Sequence, residues 1–225
     1  MKTIILSLGG SIIVPEEVDY FFLKEFKAFI LRQIAIENRF VIICGGGKTN
    51  SRYNAAAQRV SNVSKDDLDW VGIASSKLNA ELLRAIFGKL AHKRIITNPT
   101  LVIKTTKPVI VAAGWKPGWS TDYDAVLIAE QLKASVVINL TNISHVYDKD
   151  PRVNKDAKKL YNISWKEYRK MVGNKWSPRM SSPFDPIASK EAQKAGLKVA
   201  ILKGTDIKNL ENYVEGKEFY GTIIE

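Results

Sequence analysis

The stretch FVIICGGGK, residues 40–48, predicts a buried strand that ends in a glycine loop, with a helix beginning just beyond it. Glycines leave the backbone N–H groups uncovered, so an anionic ligand can approach the main chain closely. The N-terminus of the following helix adds free N–H groups and a positive dipole end. The stretch therefore predicts a phosphate site, with Lys48 at the exit of the loop to meet the phosphate. Taken alone, the loop also fits a tight turn that binds nothing.

Two common phosphate-binding motifs do not match this loop. A P-loop needs a glycine five residues before Gly47, where this chain has Ile42. The G-x-G-x-x-G spacing of the dinucleotide fingerprint is also missing. A phosphate-site prediction for this loop therefore needs evidence from other parts of the chain.

That support comes from three further apolar runs that end in small or polar residues. They are residues 3–8 before Gly9-Gly10-Ser11, residues 108–113 before the segment 114–122, and residues 135–140 before Thr141-Asn142. The carboxyl ends of parallel strands line one crevice, where open α/β sheets bind ligands. Four such strand ends predict one composite site.

Strand-like and helix-like segments alternate along the chain. Helices are predicted near residues 16–37, 48–60, 64–87, 122–133, 185–196 and 206–215, and strands near 2–8, 40–44, 94–96, 108–113, 135–140, 197–202 and 219–224. Residues 141–183 show no regular pattern. The alternation predicts an α/β fold, a three-layer αβα sandwich with a mainly parallel sheet that both halves share.

Composition narrows the class of protein. The 225 residues suffice for a large core, and the single cysteine, Cys44, fits a reducing cytosol and a buried position. The net charge of +11 is shared by both halves, with 16 basic against 9 acidic residues before Gly114 and 18 against 14 from there on. No nucleic-acid motif accompanies this charge, and no apolar run reaches the ~20 residues of a membrane span. We expect a soluble cytoplasmic protein with no nucleic-acid or membrane partner.

Candidate catalytic and binding residues lie at the start of the helix predicted near residue 122. Asp122 lies at a loop-to-helix junction, where its carboxylate can orient donors or a magnesium ion, although the residues alone favour a helix N-cap. Trp115 and Trp119 flank Lys116-Pro117-Gly118, and they suit a stacking surface or lid as well as packing anchors. No Cys/His spacing predicts a metal site.

A family resemblance emerges from these motifs taken in order. They are Leu8-Gly9-Gly10-Ser11, Gly45-Gly46-Gly47-Lys48, Gly114 to Asp122, Thr141-Asn142 with Tyr147 and Asp150-Pro151, Ser181 to Lys190, and Gly221-Thr222-Ile223-Ile224. The chain resembles the amino-acid kinase superfamily, and within it the archaeal type of uridylate (UMP) kinase. The resemblance implies one amino-acid kinase domain over residues 1–225, with a UMP-side lobe at about 1–113 and an ATP-side lobe at about 114–225.

The resemblance also implies an activity and a set of residues. The reaction is phosphoryl transfer from Mg-ATP to UMP in pyrimidine nucleotide biosynthesis, in a homohexamer that responds to UTP, with Mg²⁺ held mainly by the nucleotide phosphates. Asp122 is the organising aspartate, which reverses the N-cap interpretation. The ATP-binding residues are Gly9, Gly10, Ser11, Gly46, Arg52, Thr141, Asn142, Tyr147 and Asp150. The UMP-binding residues are Gly45, Asp69, Gly114, Trp115, Lys116, Pro117, Gly118, Trp119, Ser120 and Thr121.

Three departures from the family pattern leave alternatives open. Ser7 stands where many members carry a catalytic lysine, and we expect Lys48 or Lys116 to supply that charge. Ser144-His145 replaces the usual Asp-Gly beside the adenine, and the loop at 115–119 is unusually aromatic. A sister kinase acting on another small phosphate or carboxylate is one alternative, although isopentenyl phosphate kinases carry a histidine that residues 48–60 lack. A non-catalytic binding protein, like molybdate-storing relatives, is the other.

Overall fold

A computed structural model describes residues 2–151, 153–173 and 182–225. The strands within these ranges are β1 Thr3–Leu8, β2 Arg39–Cys44, β3 Val109–Ala112, β4 Val136–Thr141, β5 Val146–Tyr147, β6 Lys159–Leu160, β7 Asn162–Ile163, β8 Lys198–Lys203 and β9 Thr222–Ile224. The helices are α1 Gly10–Ile13, α2 Tyr20–Ala35, α3 Gly47–Val60, α4 Lys65–Phe87, α5 Thr121–Gln131, α6 Trp165–Val172, α7 Pro186–Lys194 and α8 Ile207–Val214.

The main sheet has the strand order β3-β2-β1-β4-β8-β9-β7, and β5 pairs with β6 in a separate two-stranded sheet. The first five strands in this order are mutually parallel, and only β9 runs antiparallel to its neighbour β8. The chain moves outward from β1 through β2 to β3 and then returns to β4 on the other side of β1. This reversal is the position at which parallel sheets form a ligand crevice. The predicted mainly parallel sheet is confirmed.

Helices cover both faces of the sheet, because successive strand residues point to opposite sides. One core contains Leu6 of β1 with apolar residues of α2, α4 and α8. The other contains Ile5 of β1 with residues of α5, α6 and α7. Cys44, the last residue of β2, is fully buried in the first core. The predicted three-layer αβα sandwich is confirmed, with one sheet running through both halves of the chain.

Side-chain caps set the starts of the long helices. Ser64 accepts the N–H of Asp67 at the start of α4, and Asp185 accepts the N–H groups of the second and third residues of α7. Serine and aspartate are among the residues preferred at this position, and proline at the first position of α7 suits a helix start. Where the sequence predicts a cap at Asp122, the structure has Ser120, whose Oγ accepts the N–H of Tyr123 at 3.2 Å. The N-cap interpretation of Asp122 is therefore wrong.

Several other expectations need correction. Residues 94–96 form no strand, because Ile96 makes only a single bridge to Ala112. The region called irregular contains α6, which begins with a capping box of Ser164 and Glu167. The short helix α1 begins at Gly10, directly after the loop residue Gly9, and the sequence pattern did not predict it. Ser181, part of the family resemblance, lies outside the described residues.

In the portion of the chain that the structure covers, none of the helices has both the length and the apolar character needed to traverse a lipid bilayer.

Candidate functional site

The carboxyl ends of the parallel strands meet at one rim of the sheet, and their loops are tied to one another. The N–H of Gly9, just after β1, donates to the Leu140 carbonyl of β4 at 2.9 Å. The N–H of Gly45, just after β2, donates to the Leu8 carbonyl at 3.0 Å. The N–H of Gly204, just after β8, donates to the Thr141 carbonyl at 2.7 Å. The composite site predicted from four strand ends is thus brought together, and a fifth strand end joins it.

The two glycine loops, residues 9–11 and 45–47, pack against each other backbone to backbone. A Cβ added to Gly10 would lie 2.0 Å from the amide nitrogen of Gly47, and one added to Gly47 would lie 2.2 Å from the carbonyl oxygen of Gly10. Gly47 also has a φ of +63°. Any side chain at either position would push the loops apart, so glycine is required by packing as well as by the close approach of a ligand.

Helix α3 begins at this contact, and the first N–H groups of a helix have no partner within it. The N–H of Lys48 is already used, because it donates to the carbonyl of Val14 at 3.0 Å. Asn79 of α4 supports the loop from below, since its Nδ2 donates to the Gly45 carbonyl at 2.8 Å. The loop therefore presents a main-chain surface whose shape is fixed from α1, α3 and α4.

A cavity of about 180 Å³ lies beside the glycine loop. Its walls come from α3, from α4 and from the segment Gly114–Ser120, which we call the aromatic loop. The lining residues are Gly46, Asn50, Asn54, Leu68, Asp69, Gly72, Ile73, Ser76, Gly114, Trp119, Ser120 and Thr121. Polar groups thus converge on a partly open cavity next to bare backbone, which is a common form of a small-ligand site.

Three side chains hold the backbone of the aromatic loop by accepting its N–H groups. Ser76 Oγ accepts from Gly114 at 3.0 Å. Asp124 Oδ2 accepts from Trp115 at 3.1 Å. Asp69 Oδ2 accepts from Gly118 at 2.9 Å. The loop is therefore anchored at its entry and near its tip, from two different helices.

The aromatic side chains of this loop form a continuous stack. The rings of Trp119 and Tyr123 lie 4.2 Å apart between centroids, and those of Trp115 and Trp119 lie 6.3 Å apart. The Lys116 ammonium lies 4.1 Å from the Trp115 ring centroid and 5.4 Å from that of Trp119. Both indoles are half-buried, and Trp119 also lines the cavity. Trp119 therefore packs against its aromatic neighbours and also lines the cavity, while a stacking or lid role for this pair stays a prediction.

Asp122 lies in the first turn of α5 and is held from two sides. Its Oδ1 accepts the hydroxyl of Ser7 at 2.9 Å, and its Oδ2 accepts the N–H of Asp185 at 3.2 Å. Burial raises the pKa of Asp122 to about 7, the Ser7 hydrogen bond opposes this rise, and the Asp185 carboxyl adds to it. Burial also raises the pKa of Asp185. A carboxyl that titrates near neutrality at a strand rim is typical of a functional position.

Lys48 and Arg52 are drawn toward the surface by one carboxylate. Lys48 Nζ lies 2.9 Å from Glu16 Oε1, and Arg52 Nη2 lies 3.0 Å from Glu16 Oε2. The side chains of Lys48 and Arg52 are 40% and 55% exposed. Ser11, in α1, is exposed too. Lys48 and Arg52 can therefore turn toward a ligand only if their ion pairs with Glu16 break.

The residues expected to hold adenosine follow β4. Thr141 ends that strand and Asn142 comes next, with Thr141 Oγ1 3.4 Å from Asn142 Oδ1. Tyr147 pairs with Lys159 between β5 and β6. The carbonyl of Asp150 accepts the N–H groups of residues 153 and 154 in a turn. Only Thr141 and Asn142 adjoin the rim directly; Tyr147 and Asp150 belong to the extension that follows.

His145, in the same segment, is buried. Its Nδ1 lies 3.0 Å from Ser144 Oγ, and its ring meets that of Tyr161 edge to face at 5.1 Å between centroids. Burial lowers its pKa, and the charge of Lys159 lowers it further. The Ser144-His145 departure from the family pattern is thus accommodated inside the fold rather than on its surface.

Sequence reasoning missed several residues of the site. They are Ser76, Asn79, Asp124, Asp185 and Gly204. Ser76 and Asn79 carried a signal, because they are polar residues at helical spacing within the apolar stripe of α4, and both are buried. Asp124 gave none, since a second acidic residue in the first turn of a helix is ordinary.

Comparisons with known proteins point to one family. The model of the Amino acid kinase family matches residues 2–203. A uridylate kinase of Methanospirillum hungatei is 32% identical over 227 residues, covering 100% of this chain and 95% of the relative. A uridylate kinase of Pyrococcus abyssi is 32% identical over 225 residues, covering 99% of each. The crystal structure of uridylate kinase from Archaeoglobus fulgidus superposes with a TM-score of 0.83 at 31% identity, covering 100% of both chains.

Proposed function

The chain belongs to the amino acid kinase family, and from that premise we propose that it transfers the γ-phosphoryl group of ATP to UMP, giving UDP and ADP. The observation that carries the proposal is the cavity beside the glycine loop. It extends from Gly46 to Thr121, so it adjoins both the glycine loop and the residue before Asp122. Similarity to uridylate kinases over the full length of the chain supports the same reaction.

We assign UMP to this cavity, in the part of the chain before Asp122. One carboxylate oxygen of Asp69 accepts the N–H of Gly118, and the other oxygen can accept a ribose hydroxyl. Trp119 offers an apolar face to the base, and the glycine loop receives the α-phosphate through main-chain N–H groups. The UMP-binding set thus comprises Gly45, Asp69 and the segment from Gly114 to Thr121.

ATP then lies on the other side of Asp122, over the ends of β1 and β4. Gly9, Gly10, Ser11 and Gly46 would bind its phosphates, with Arg52 assisting after release from Glu16. Thr141, Asn142, Tyr147 and Asp150 would bind the adenosine. We retain the division of the shared sheet into a UMP-side lobe at about residues 1–113 and an ATP-side lobe at about 114–225, with the aromatic loop of the second lobe contributing to the UMP cavity and the glycine loops of the first contributing to the ATP site.

Catalysis in this scheme rests on positioning and charge. Asp122 fixes the N–H of Asp185 and the hydroxyl of Ser7, and it thereby holds β1, α5 and α7 in register around the phosphates. Ser7 carries no charge, so a lysine must offset the developing negative charge. Lys116 is favoured over Lys48, because its ammonium lies over aromatic rings and forms no ion pair with any residue that the structure describes.

Magnesium would enter with ATP as part of the substrate. Phosphate oxygens are ligands that Mg²⁺ prefers. Within the described residues, no group of three or more His, Cys, Asp or Glu side chains is arranged to hold a metal ion. This arrangement suits an ion that the nucleotide phosphates hold.

The expected compartment, oligomeric state and effector follow from the resemblance to the same family. We propose a cytoplasmic homohexamer that responds to UTP. Large apolar side chains on the outer surfaces of α3 and α4 support assembly: Tyr53 is 67% exposed, Val60 88%, Trp70 48% and Leu78 63%. Large apolar side chains exposed on two helices that pack together are candidates for an interface with another chain.

The test is ADP release with Mg-ATP and one acceptor at a time: UMP, CMP, isopentenyl phosphate or acetylglutamate. UMP-dependent turnover that exceeds the rate with each other acceptor is the expected result. Faster turnover with another acceptor would assign the sister activity instead. Tight nucleotide binding without turnover on any acceptor would identify a non-catalytic binding protein.

A further inference from the structure

Asp124 is a buried acid that the proposed reaction does not use. It lies in the first turn of α5, two residues after Asp122, and it is 1% exposed. Its Oδ2 accepts the N–H of Trp115 at 3.1 Å. Its Oδ1 has no hydrogen-bond partner anywhere in residues 2–151, 153–173 and 182–225. Burial of a half-satisfied carboxyl opposes folding, so a residue of this kind calls for a functional explanation.

Among the residues that the structure describes, no cation offsets the charge of Asp124. The carboxyl of Asp122 acts on it with the same sign, and the phenol of Tyr123 is its other ionisable neighbour. From the facing helix α7, Glu191 and Lys194 act on Tyr123 instead. Burial raises the pKa of Asp124 to about 7, the Trp115 N–H opposes the rise, and Asp122 adds to it. Both protonation states are therefore populated near neutral pH.

The single bond that Asp124 makes is at a sensitive point of the aromatic loop. Trp115 begins the stack with Trp119 and Lys116, and Trp119 lines the cavity. The other two anchors of the loop hold Gly114 and Gly118. Losing the Trp115 anchor would leave the backbone between these two points free to shift, and the indoles would move with it.

We propose that Asp124 is a positioning residue for the acceptor: its carboxyl fixes the Trp115 N–H and thereby sets the shape of the loop that closes the UMP cavity. The inference rests on the proposed function, because it takes UMP as the occupant of that cavity. The working form is the carboxylate, because the Trp115 N–H binds the ionised group more strongly than the neutral acid. Protonation weakens this hydrogen bond and loosens the loop.

Three variants test this role. Asp124→Ala removes the acceptor, Asp124→Asn keeps an oxygen that can accept the same N–H, and Glu130→Gln changes an exposed acid on the same helix as a matched control. We expect Asp124→Ala to raise the KM for UMP about tenfold, as loss of one buried hydrogen bond does, with kcat and the KM for ATP little changed. Glu130→Gln should retain the KM of the unaltered protein, and Asp124→Asn, whose neutral oxygen accepts the N–H more weakly, should give a KM between those of the unaltered protein and Asp124→Ala.

The pH dependence of the KM for UMP is a further test, because a residue with only a structural role would not change it. In the unaltered protein the KM for UMP should rise as the pH falls through about 7, because protonation of Asp124 weakens its hydrogen bond to Trp115. In Asp124→Asn this rise should be absent, since the amide does not ionise. A rise of equal size in both proteins would overturn the proposal, and this comparison remains decisive even if Asp124→Ala does not fold.

A measurement without turnover separates this inference from the proposed function. Hydrogen exchange of the Trp115 amide should be about tenfold faster in Asp124→Ala than in the unaltered protein, and unchanged in Glu130→Gln. Unaltered exchange and an unaltered KM in Asp124→Ala would overturn the role of Asp124. If the unaltered protein fails to phosphorylate UMP, the proposed function falls, while the exchange data still judge whether Asp124 holds the loop.

Discussion

The glycine loops and the aromatic loop border the same cavity, but they are held in different ways. In the glycine loops backbone packs on backbone, and the close contact of Gly10 with Gly47 leaves no room for a side chain. In the aromatic loop three side chains from α4 and α5 accept backbone N–H groups. The first arrangement is rigid because steric contact fixes it. The second depends on hydrogen bonds, one of them to an acid that titrates, so the two loops should respond differently to substitution and to pH.

The largest expected effect tests the steric half of this comparison. Gly47→Ala would place a Cβ 2.2 Å from the Gly10 carbonyl at a φ of +63°, whereas Gly216→Ala has a φ of +72° with nothing within 4 Å. Left-handed backbone alone costs about 1–2 kcal/mol, so Gly216→Ala should lose that amount of unfolding free energy. Gly47→Ala should lose about 4 kcal/mol or more and most of its activity. Urea unfolding of both variants measures the difference, and equal losses would refute steric locking.

The next effect concerns the acid that lies between the two loops. Asp122→Asn should lower kcat about 100-fold, as removal of one preorganised electrostatic group does in other enzymes. The KM for UMP should change little, because the cavity lining does not include Asp122. Steady-state kinetics with UMP varied at saturating ATP gives both values, with Glu130→Gln as the control. A rise in KM at constant kcat would instead make Asp122 a binding residue.

A smaller effect asks which loop supplies the positive charge. Lys116→Met should lower kcat more than tenfold, since phosphoryl transfer depends on a cation at the transferring group. Lys48→Met should change kcat about twofold or less, because exposed ion pairs such as the one with Glu16 contribute little. Unchanged rates in both variants would remove the lysine hypothesis, and the opposite order would transfer the role to the glycine loop.

The smallest effect is a shift of the pH profile at Ser7. The Ser7 hydroxyl favours the ionised form of Asp122, so Ser7→Ala should raise the pKa of Asp122 further above its value of about 7. If the ionised form works, kcat at neutral pH should fall about threefold, and the acid limb of its pH profile should move to higher pH. Ser7→Thr, which keeps the hydroxyl, is the control. An acid limb that moved to lower pH would contradict this assignment.

The two loops also differ in how far the sequence predicts them. The glycine loops were predictable, because glycine clusters after apolar runs have a local cause and a known use. The order of the strands brought Gly9, Gly45, Gly114 and Thr141 together as expected. The hydrogen bonds by which Ser76 and Asp69 anchor the aromatic loop were not predictable, because their partners lie about forty to fifty positions away in the sequence.

The region after β4 shows the second limit. Its short strands and helix α6 escaped the sequence pattern because two-residue strands have no periodicity to detect. Helix α6 has a clear capping box at Ser164 and Glu167, and closer attention to that signal would have found it. The apparent strand at 94–96 failed for the opposite reason: its apolar residues lie beside β3 without forming a ladder.

The burial of Cys44 has a practical consequence. The thiol lies in the core at the end of β2, and burial raises its pKa, so it has almost no thiolate with which to attack an alkylating reagent. A cysteine introduced at an exposed position of the aromatic loop would therefore be modified selectively by a maleimide dye, with the native thiol left in place. Fluorescence from such a label would report loop closure in real time as each nucleotide is added.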